Sequence, residues 1–464
     1  RAALDALTVA KDGVDGSAVY LYGEAWNMGS AANDALFTAA RQANLAGTGI
    51  GSFNDRLRDG VRGGGPFDSD QRTYQGFGTG LYTDPNETPD PADAATTSSG
   101  TKIPYNALTD LYYRTDLVRL GLVGNLAAYE LPSDKGSGTP VLGSDFGYGA
   151  AYGSVGVDGR QAAGYAAEPA EVINYADCHD GTTSFDNGMW KLPTDSTMDT
   201  RVRMAVLTMA TTALGQSPSF WQAGEDLLRS KSLDANSYNS GDYFNAIDWT
   251  GTTNVFGTGL PVTSGDTAAM TALLDNPANR PDAAAMARAN QMALDLLRVR
   301  SSTPLLTLGN GALIRDRVHF LNDGVDPTPG LIVMDIEDPA TGTPDVDPAL
   351  DAAMVVFNAS PQTIVEKIDG QAGRAWALNA IQAGGADLVV KGVTFDAATG
   401  TLTIPGRTAT MLVLVASATP AAPATPAAPT GGTAAGTPVL AWLLLTGLAA
   451  ITSVGTKLRR RSES

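Results

Sequence analysis

Through the first 300 residues, apolar positions alternate between two textures. Runs spaced for a helix, beginning with RAALDALTVA at the start, alternate with compact β-rich runs that end abruptly in charged or aromatic groups. The first of these, AVYLYGEAWN (18–27), follows the turn KDGVDGS. The second, EVINYADCHDGTTSFD (171–186), repeats the design. A helical run, RVRMAVLTMATTALG (201–215), then leads into a third, PSFWQAGEDLL (218–228). Strands that finish in polar chemistry and alternate with helices predict an α/β fold, a parallel β/α barrel with its site at the C-terminal strand ends.

The pattern is interrupted at about 60–170 by a stretch rich in Gly, Asp and Pro, which contains one good helix, DLYYRTDLVRLGLVGNLAAY (110–129). An insertion of this kind on a barrel shapes a binding cleft. After a helix near 282–300 the texture changes to short strands: GLIVMDIED (330–338), AAMVVFNAS (352–360), VTFDAATGTLTI (393–404) and TATMLVLVA (408–416). Their regular turns predict an all-β sandwich. The expected organisation is a partial barrel over 1–300, a β-sandwich over 301–417, a Pro/Ala linker over 418–436, an apolar segment over 437–456 and a basic tail over 457–464.

No charged residue occurs from Thr408 to Thr456, and the apolar run PVLAWLLLTGLAAITSV precedes Lys457, Arg459, Arg460 and Arg461. That order predicts a transmembrane segment with its basic end in the cytoplasm, hence an extracellular or cell-surface protein anchored to a membrane. The run is a little short of the ~20 residues of a full span, so a processed sorting signal is the rival reading. The chain opens on Arg1 without the order of a signal peptide, and the reading expects the true start to lie upstream.

Composition narrows the partners. With 464 residues and 43% hydrophobic content the chain can bury a sizeable core. A formal net charge of -18 repels nucleic acid but leaves a neutral polymer indifferent. One cysteine, Cys178, excludes an internal disulfide, and no CxxC or HExxH motif points to a metal.

Two acidic residues stand at strand ends. Glu24 closes the first β-rich run beside Trp26, where an apolar, partly dehydrated setting would keep it protonated as an acid. Asp180 closes the second, preceded by His179. A salt bridge for Glu24 and a helix cap for Asp180 are the bland alternatives, and the repeated placement at strand ends weighs against them. Cleaving a glycosidic bond needs such a pair of carboxyls flanking one sugar.

YLYGEAWN (20–27) and VINYADCHD (172–180) resemble segments of the α-amylase superfamily of retaining glycoside hydrolases, and within it the pullulanases and limit dextrinases. GTGIGSFNDRLRDGVRGG (47–64), DLVRLGLVGNL (116–126), QAGEDLLRSKSLDANSYNSGDYFN (222–245) and LRVRSSTPLL (297–306) carry the resemblance further, to about residue 417. It implies retaining hydrolysis of α-1,6-glucosidic linkages in pullulan, limit dextrins or branched α-glucan, with no cofactor required and structural calcium left open. By position, Glu24 would be the general acid/base, and Asp180 would hold the hydroxyls of the cleaved glucose and stabilise its cationic transition state. His179 would bond that sugar, Trp26 and Asn27 would line the acceptor side, and Asp234, Asn236 and Tyr238 would touch donor-side glucose.

The chain departs from the family pattern at Gly181 and Thr182, where Asn and Glu are more usual, and at Met28, Ala235 and Tyr243. It also contains no GFRFD-like segment for the family's nucleophilic aspartate, and its two histidines, His179 and His319, leave none for the earlier His-bearing motif. The expectation is a C-terminal fragment that is inactive alone. Arg114 and Asp116 reproduce the Arg-x-Asp spacing of the nucleophile segment, but within a helical run, and are expected as a pair on a helix surface. The other functional readings are a noncatalytic α-glucan-binding surface protein and an α-1,6-transglycosidase. Cys178 and His319 are read as structural, and GTGIG (47–51) as a turn.

Overall fold

Four short strands form one parallel sheet in chain order: β1 (Tyr22–Gly23), β2 (Gly51–Phe53), β3 (Val172–Tyr175) and β4 (Ser219–Phe220). This is a computed structural model, and it describes residues 1–416 apart from 66, 67, 69, 98, 150–160, 263, 264 and 340–343. Tyr22 pairs with Gly51, Ser52 with Val172, and Asn174 with Ser219, all in parallel register. Parallel neighbours need long crossovers. Helices α1 (Asp55–Arg62) and α2 (Ala107–Leu122) intervene between β2 and β3, and α3 (Ser184–Lys191) and α4 (Met198–Ala213) between β3 and β4. Strand β2 begins at Gly51, the last residue of the run GTGIG (47–51) expected to be a turn, and continues through Ser52 and Phe53. Its three residues, Gly-Ser-Phe, are too few to show a periodicity, and tertiary pairing on both sides makes them a strand.

All four residues of β3 are buried, which is why its sequence lacks polar alternation. Tyr22, Phe53, Tyr175 and Phe220, one from each strand, form an aromatic row in which Phe53 lies 5.9 Å from Tyr22, 5.1 Å from Tyr175 and 5.2 Å from Phe220 between ring centres. Asn174, which alternates with Tyr175, is buried and donates to Gly121 O at 2.8 Å, fixing the sheet to the end of α2. Helices α1 and α2 approach closely because Gly121 has no side chain. A Cβ there would sit 2.3 Å from Leu57 Cδ1.

The C-terminal strands are β5 (Val318–Phe320), β6 (Leu331–Glu337), β7 (Leu350–Asn358), β8 (Ile364–Lys367), β9 (Ala377–Leu378), β10 (Thr394–Asp396), β11 (Thr401–Ile404) and β12 (Thr408–Val415). They build an antiparallel sheet in the order β5-β6-β7-β12-β9 and a smaller one in the order β8-β11-β10. On β6 and β7, Ile332, Met334, Ile336, Ala353, Val355 and Phe357 join the core that includes the helices. Their neighbours Leu331, Val333, Met354 and Val356 pack instead with Leu402 and Ile404 of the small sheet. Burial on both faces explains the unbroken apolar runs. Helix α4 touches β3, β4 and β12 and is buried almost throughout, between the two sheet systems. Helix α5 (Ala283–Ser301) packs beside it.

Two expectations need correction. The transmembrane segment is not supported, because no helix among the described residues is long and apolar enough to cross a membrane. A span needs ~20 predominantly apolar residues, whereas the 19-residue α5 carries Arg288, Asp295, Arg298 and Arg300. The linker 418–436, the apolar segment 437–456 and the tail 457–464 lie outside the described residues, so membrane anchoring through them has no support here. Arg1–Ser417 forms one compact unit.

The second correction concerns Arg114 and Asp116. They are buried rather than on a helix surface, because α2 is covered on every side. Arg114 pairs with Asp110 at 3.2 Å, while Arg119 bridges Asp116 at 2.8 Å and Asp323 at 2.9 Å. The Arg119–Asp323 pair ties α2 to the loop after β5.

Candidate functional site

Glu24 is the residue immediately after β1, and the loop leaving β3 carries His179 and Asp180 to meet it. His179 Nε2 lies 3.4 Å from Glu24 Oε1 and 3.7 Å from Asp180 Oδ1. The side chains of Glu24, His179 and Asp180 are 43%, 72% and 59% exposed. The dehydrated setting expected around Glu24 is therefore absent. Trp26 contributes a hydrogen bond instead, its Nε1 donating to Glu24 Oε2 at 3.1 Å. Asn27 is held by Asn33: its Nδ2 donates to Asn33 Oδ1 at 2.8 Å, and its Oδ1 accepts from Asn33 N at 2.7 Å.

The loop 176–182 is exposed at its tip and anchored from below by buried charge. Arg62 at the end of α1 donates to Ala176 O at 2.9 Å, Thr182 O at 2.8 Å and Thr182 Oγ1 at 2.7 Å, closing the base of the loop. Lys231 Nζ donates to His179 O at 3.2 Å and Gly181 O at 2.7 Å. Asp180 does not cap a helix. Thr183 caps α3, its Oγ1 accepting from Asp186 N at 3.1 Å. Asp177, also buried, accepts from Ser184 N at 2.5 Å, and Ser184 Oγ donates to Glu225 Oε1 at 3.0 Å. Burial and the facing Asp177 carboxylate push the Glu225 carboxyl well above the usual range.

Asp234 and Asn236 lie on the loop after β4, beside the His179–Asp180 loop, to which Ala235 O is joined by Gly181 N at 3.1 Å. Asp234 is buried. Its Oδ1 accepts from Asn236 N at 2.9 Å, and its Oδ2 has no partner. Tyr238 is 82% exposed and Trp249 is 68% exposed. The structure thus brings Glu24, His179, Asp180 and Trp26 together directly, and sets Asp234, Asn236 and Tyr238 on the adjoining loop.

One oxygen each of Glu24 and Asp180 and one nitrogen of His179 lie within 4.8 Å of one another, close enough to share a cation. All three side chains are exposed, and nothing further in the arrangement selects a metal. What the arrangement offers chemically is a carboxyl oriented by an indole N–H, a second carboxylate on its near side, and an imidazole between them. Such groups can move a proton onto a leaving oxygen and hold sugar hydroxyls. Arg62, Asp177, Glu225 and Lys231 were not singled out in the sequence, although Arg62 and Lys231 lie in its most family-like segments. The available signal was charge inside otherwise apolar or tightly turned stretches, RDGVRGG and LLRSKSL.

Comparison with known proteins shows which family the chain resembles. Residues 251–415 match the family model described as alpha-1,6-glucosidases, pullulanase-type, C-terminal. The chain is 37% identical over 421 residues to the chloroplastic pullulanase 1 of Arabidopsis thaliana, covering 89% of this chain and 41% of that protein. It is also 37% identical over 402 residues to a pullulanase of Klebsiella pneumoniae, covering 85% and 34%. The crystal structure of the maltotriose complex of PulA from Klebsiella pneumoniae superposes with a TM-score of 0.75 at 35% identity, over 86% of this chain and 40% of that one. The chain spans 34–41% of the length of these relatives.

Proposed function

The chain belongs to the pullulanase-type group of the α-amylase family of glycoside hydrolases, and from that premise we propose that its site acts on α-1,6-glucosidic linkages of branched α-glucan. Glu24 is the general acid/base, oriented by Trp26. Asp180 holds the hydroxyls of the cleaved glucose and stabilises its positive charge, and His179 bonds the same sugar. Trp26 and Asn27 border the acceptor side, with Asp234, Asn236 and Tyr238 on the donor side. The observation that carries this reading is the convergence of Glu24 and the His179–Asp180 pair, from two separate strand ends, to within 3.4 Å and 3.7 Å of one imidazole nitrogen.

The chemistry requires no cofactor. Retention of configuration does require a nucleophilic carboxylate about 5–5.5 Å from the acid, on the opposite side of the anomeric carbon. The 464 residues contain no segment of the family's nucleophile pattern, so we propose that they bind glucan but do not cleave it unaided. The first test is calorimetric titration of the 464-residue chain with maltotriose, which that Klebsiella protein is named as binding. Binding weakened at least tenfold by Asp180→Ala supports the reading. A chain that binds no α-glucan refutes it, and reducing ends released from pullulan by the chain alone refute its inactivity. The catalytic role is tested in the full reading frame encoding these residues, where Glu24→Gln should lower debranching by about 10²–10⁴-fold with little change in maltotriose affinity.

A further inference from the structure

The His179–Asp180 side of the proposed site is carried by two loops, one after β3 and one after β4, and a buried ammonium joins them beside the Gly181 N–Ala235 O bond. Lys231 is fully buried, and an ammonium has three protons to place. They go to His179 O at 3.2 Å, Gly181 O at 2.7 Å and Ser237 Oγ at 3.0 Å. The first two acceptors are the carbonyls on either side of Asp180. The third lies in the segment that carries Asp234, Asn236 and Tyr238. Arg62 closes the base of the first loop separately, so Lys231 acts on the tip, where the sugar-facing side chains are.

We propose that Lys231 is a positioning residue: it sets the tip of the His179–Asp180 loop against the Asp234–Tyr238 segment, and α-glucan affinity depends on its three hydrogen bonds. It touches neither sugar nor reacting atoms. This rests on the glucan reading above and adds to it the group that holds the two halves of the donor side in register. Hydrogen bonds from a charged donor are about twice as strong as neutral ones. A side chain without donors would leave two loop carbonyls unpaired.

The test uses the full 464-residue chain. Lys231→Met preserves side-chain length and removes every donor. Maltotriose binding should weaken at least tenfold, and amide exchange should accelerate within 178–182 and 234–238 while the far-ultraviolet circular dichroism is unchanged. Lys231→Arg, bulkier but still a charged donor, should recover part of both, which a role in packing alone would not produce. If the Met variant does not fold, the wild-type protein supplies the measurement. Burial pushes the Lys231 amine below the usual 10.5, against the pull of Asp186, Asp177 and Asp234 and with the push of Arg229. Affinity and loop protection should therefore decline together as pH rises, in a range below the 10.5 of an ordinary lysine. A folded Met variant with wild-type affinity and exchange overturns the proposal, and so does a wild type that stays flat through that range. Should the wild-type chain bind no maltotriose, the glucan reading fails on its own, and exchange at 178–182 still decides the role of Lys231.

Discussion

Replacing Arg62 by methionine tests whether buried charge holds the site loop in place. Its guanidinium spans the loop base, donating to Ala176 O at 2.9 Å, Thr182 O at 2.8 Å and Thr182 Oγ1 at 2.7 Å. Methionine keeps the stem and removes all of these donors. The Thr182 hydroxyl can rotate to another role, but the two carbonyls cannot. A buried acceptor left without a donor costs about 1–3 kcal/mol, so the pair costs about 2–6 kcal/mol. Removing the guanidinium also relieves its own desolvation, which offsets part of that loss. The expected net destabilisation is about 2–4 kcal/mol. Arg62→Lys retains the charge, but one ammonium cannot reproduce the planar fork, so the same direction at about half the size is expected. Urea unfolding of the 464-residue chain gives the free energy, and amide exchange over 176–182 reports the loop. An Arg62→Met variant within about 0.5 kcal/mol of wild type, the ordinary range for a surface change, with unchanged exchange, would refute the reasoning.

Further expectations follow from the same contacts. Gly121→Ala places a methyl 2.3 Å from Leu57 Cδ1 and should cost about 1–3 kcal/mol, with Leu57→Ala less damaging in that background than alone; strictly additive losses in urea unfolding would contradict the packing. Met209→Ala in the fully buried α4 should cost about 2–5 kcal/mol, and a loss below 1 kcal/mol would show that the helix repacks freely. The Glu225 carboxyl, raised by burial and Asp177, keeps a proton in the folded state that the unfolded chain releases above about pH 4.5. Its stabilising contribution is complete below that pH and declines as pH rises. Glu225→Gln cannot ionise, so stability should shift in its favour relative to wild type as pH rises above about 4.5; a difference that does not vary with pH would contradict the shared burial.

The parts of the site legible in the sequence were those built from short contiguous segments. Glu24, His179 and Asp180 each end a run whose composition fits a strand, and the polar ending of a buried parallel strand is where chemistry is exposed. The side chains that hold them were not legible in this way. Lys231 reads as one charge in a polar turn, and only the fold shows three acceptors closing around it. Arg62 reads as the basic end of a short helix, yet its partners lie 114 and 120 residues away in sequence. The solvent exposure of Glu24, against the expected dry setting, likewise depends on what covers the strand end and not on its neighbours in the chain.

By itself, the sequence determined the longer helices and the main C-terminal strands, the positions of the candidate acid and its His-Asp partners, and membership of the pullulanase-type family. These are properties of local periodicity and of motifs a few residues long. Tertiary structure alone decided that Gly51–Phe53 is a strand, paired with β1 on one side and β3 on the other, and that Arg114 and Asp116 are buried with separate partners. It also decided that the C-terminal sheet is covered on both faces, and that a lysine and an arginine hold the loop of the site. The physical reason is common to all four. Backbone pairing and the burial of charge are settled by groups distant in sequence, whose arrival no local pattern records.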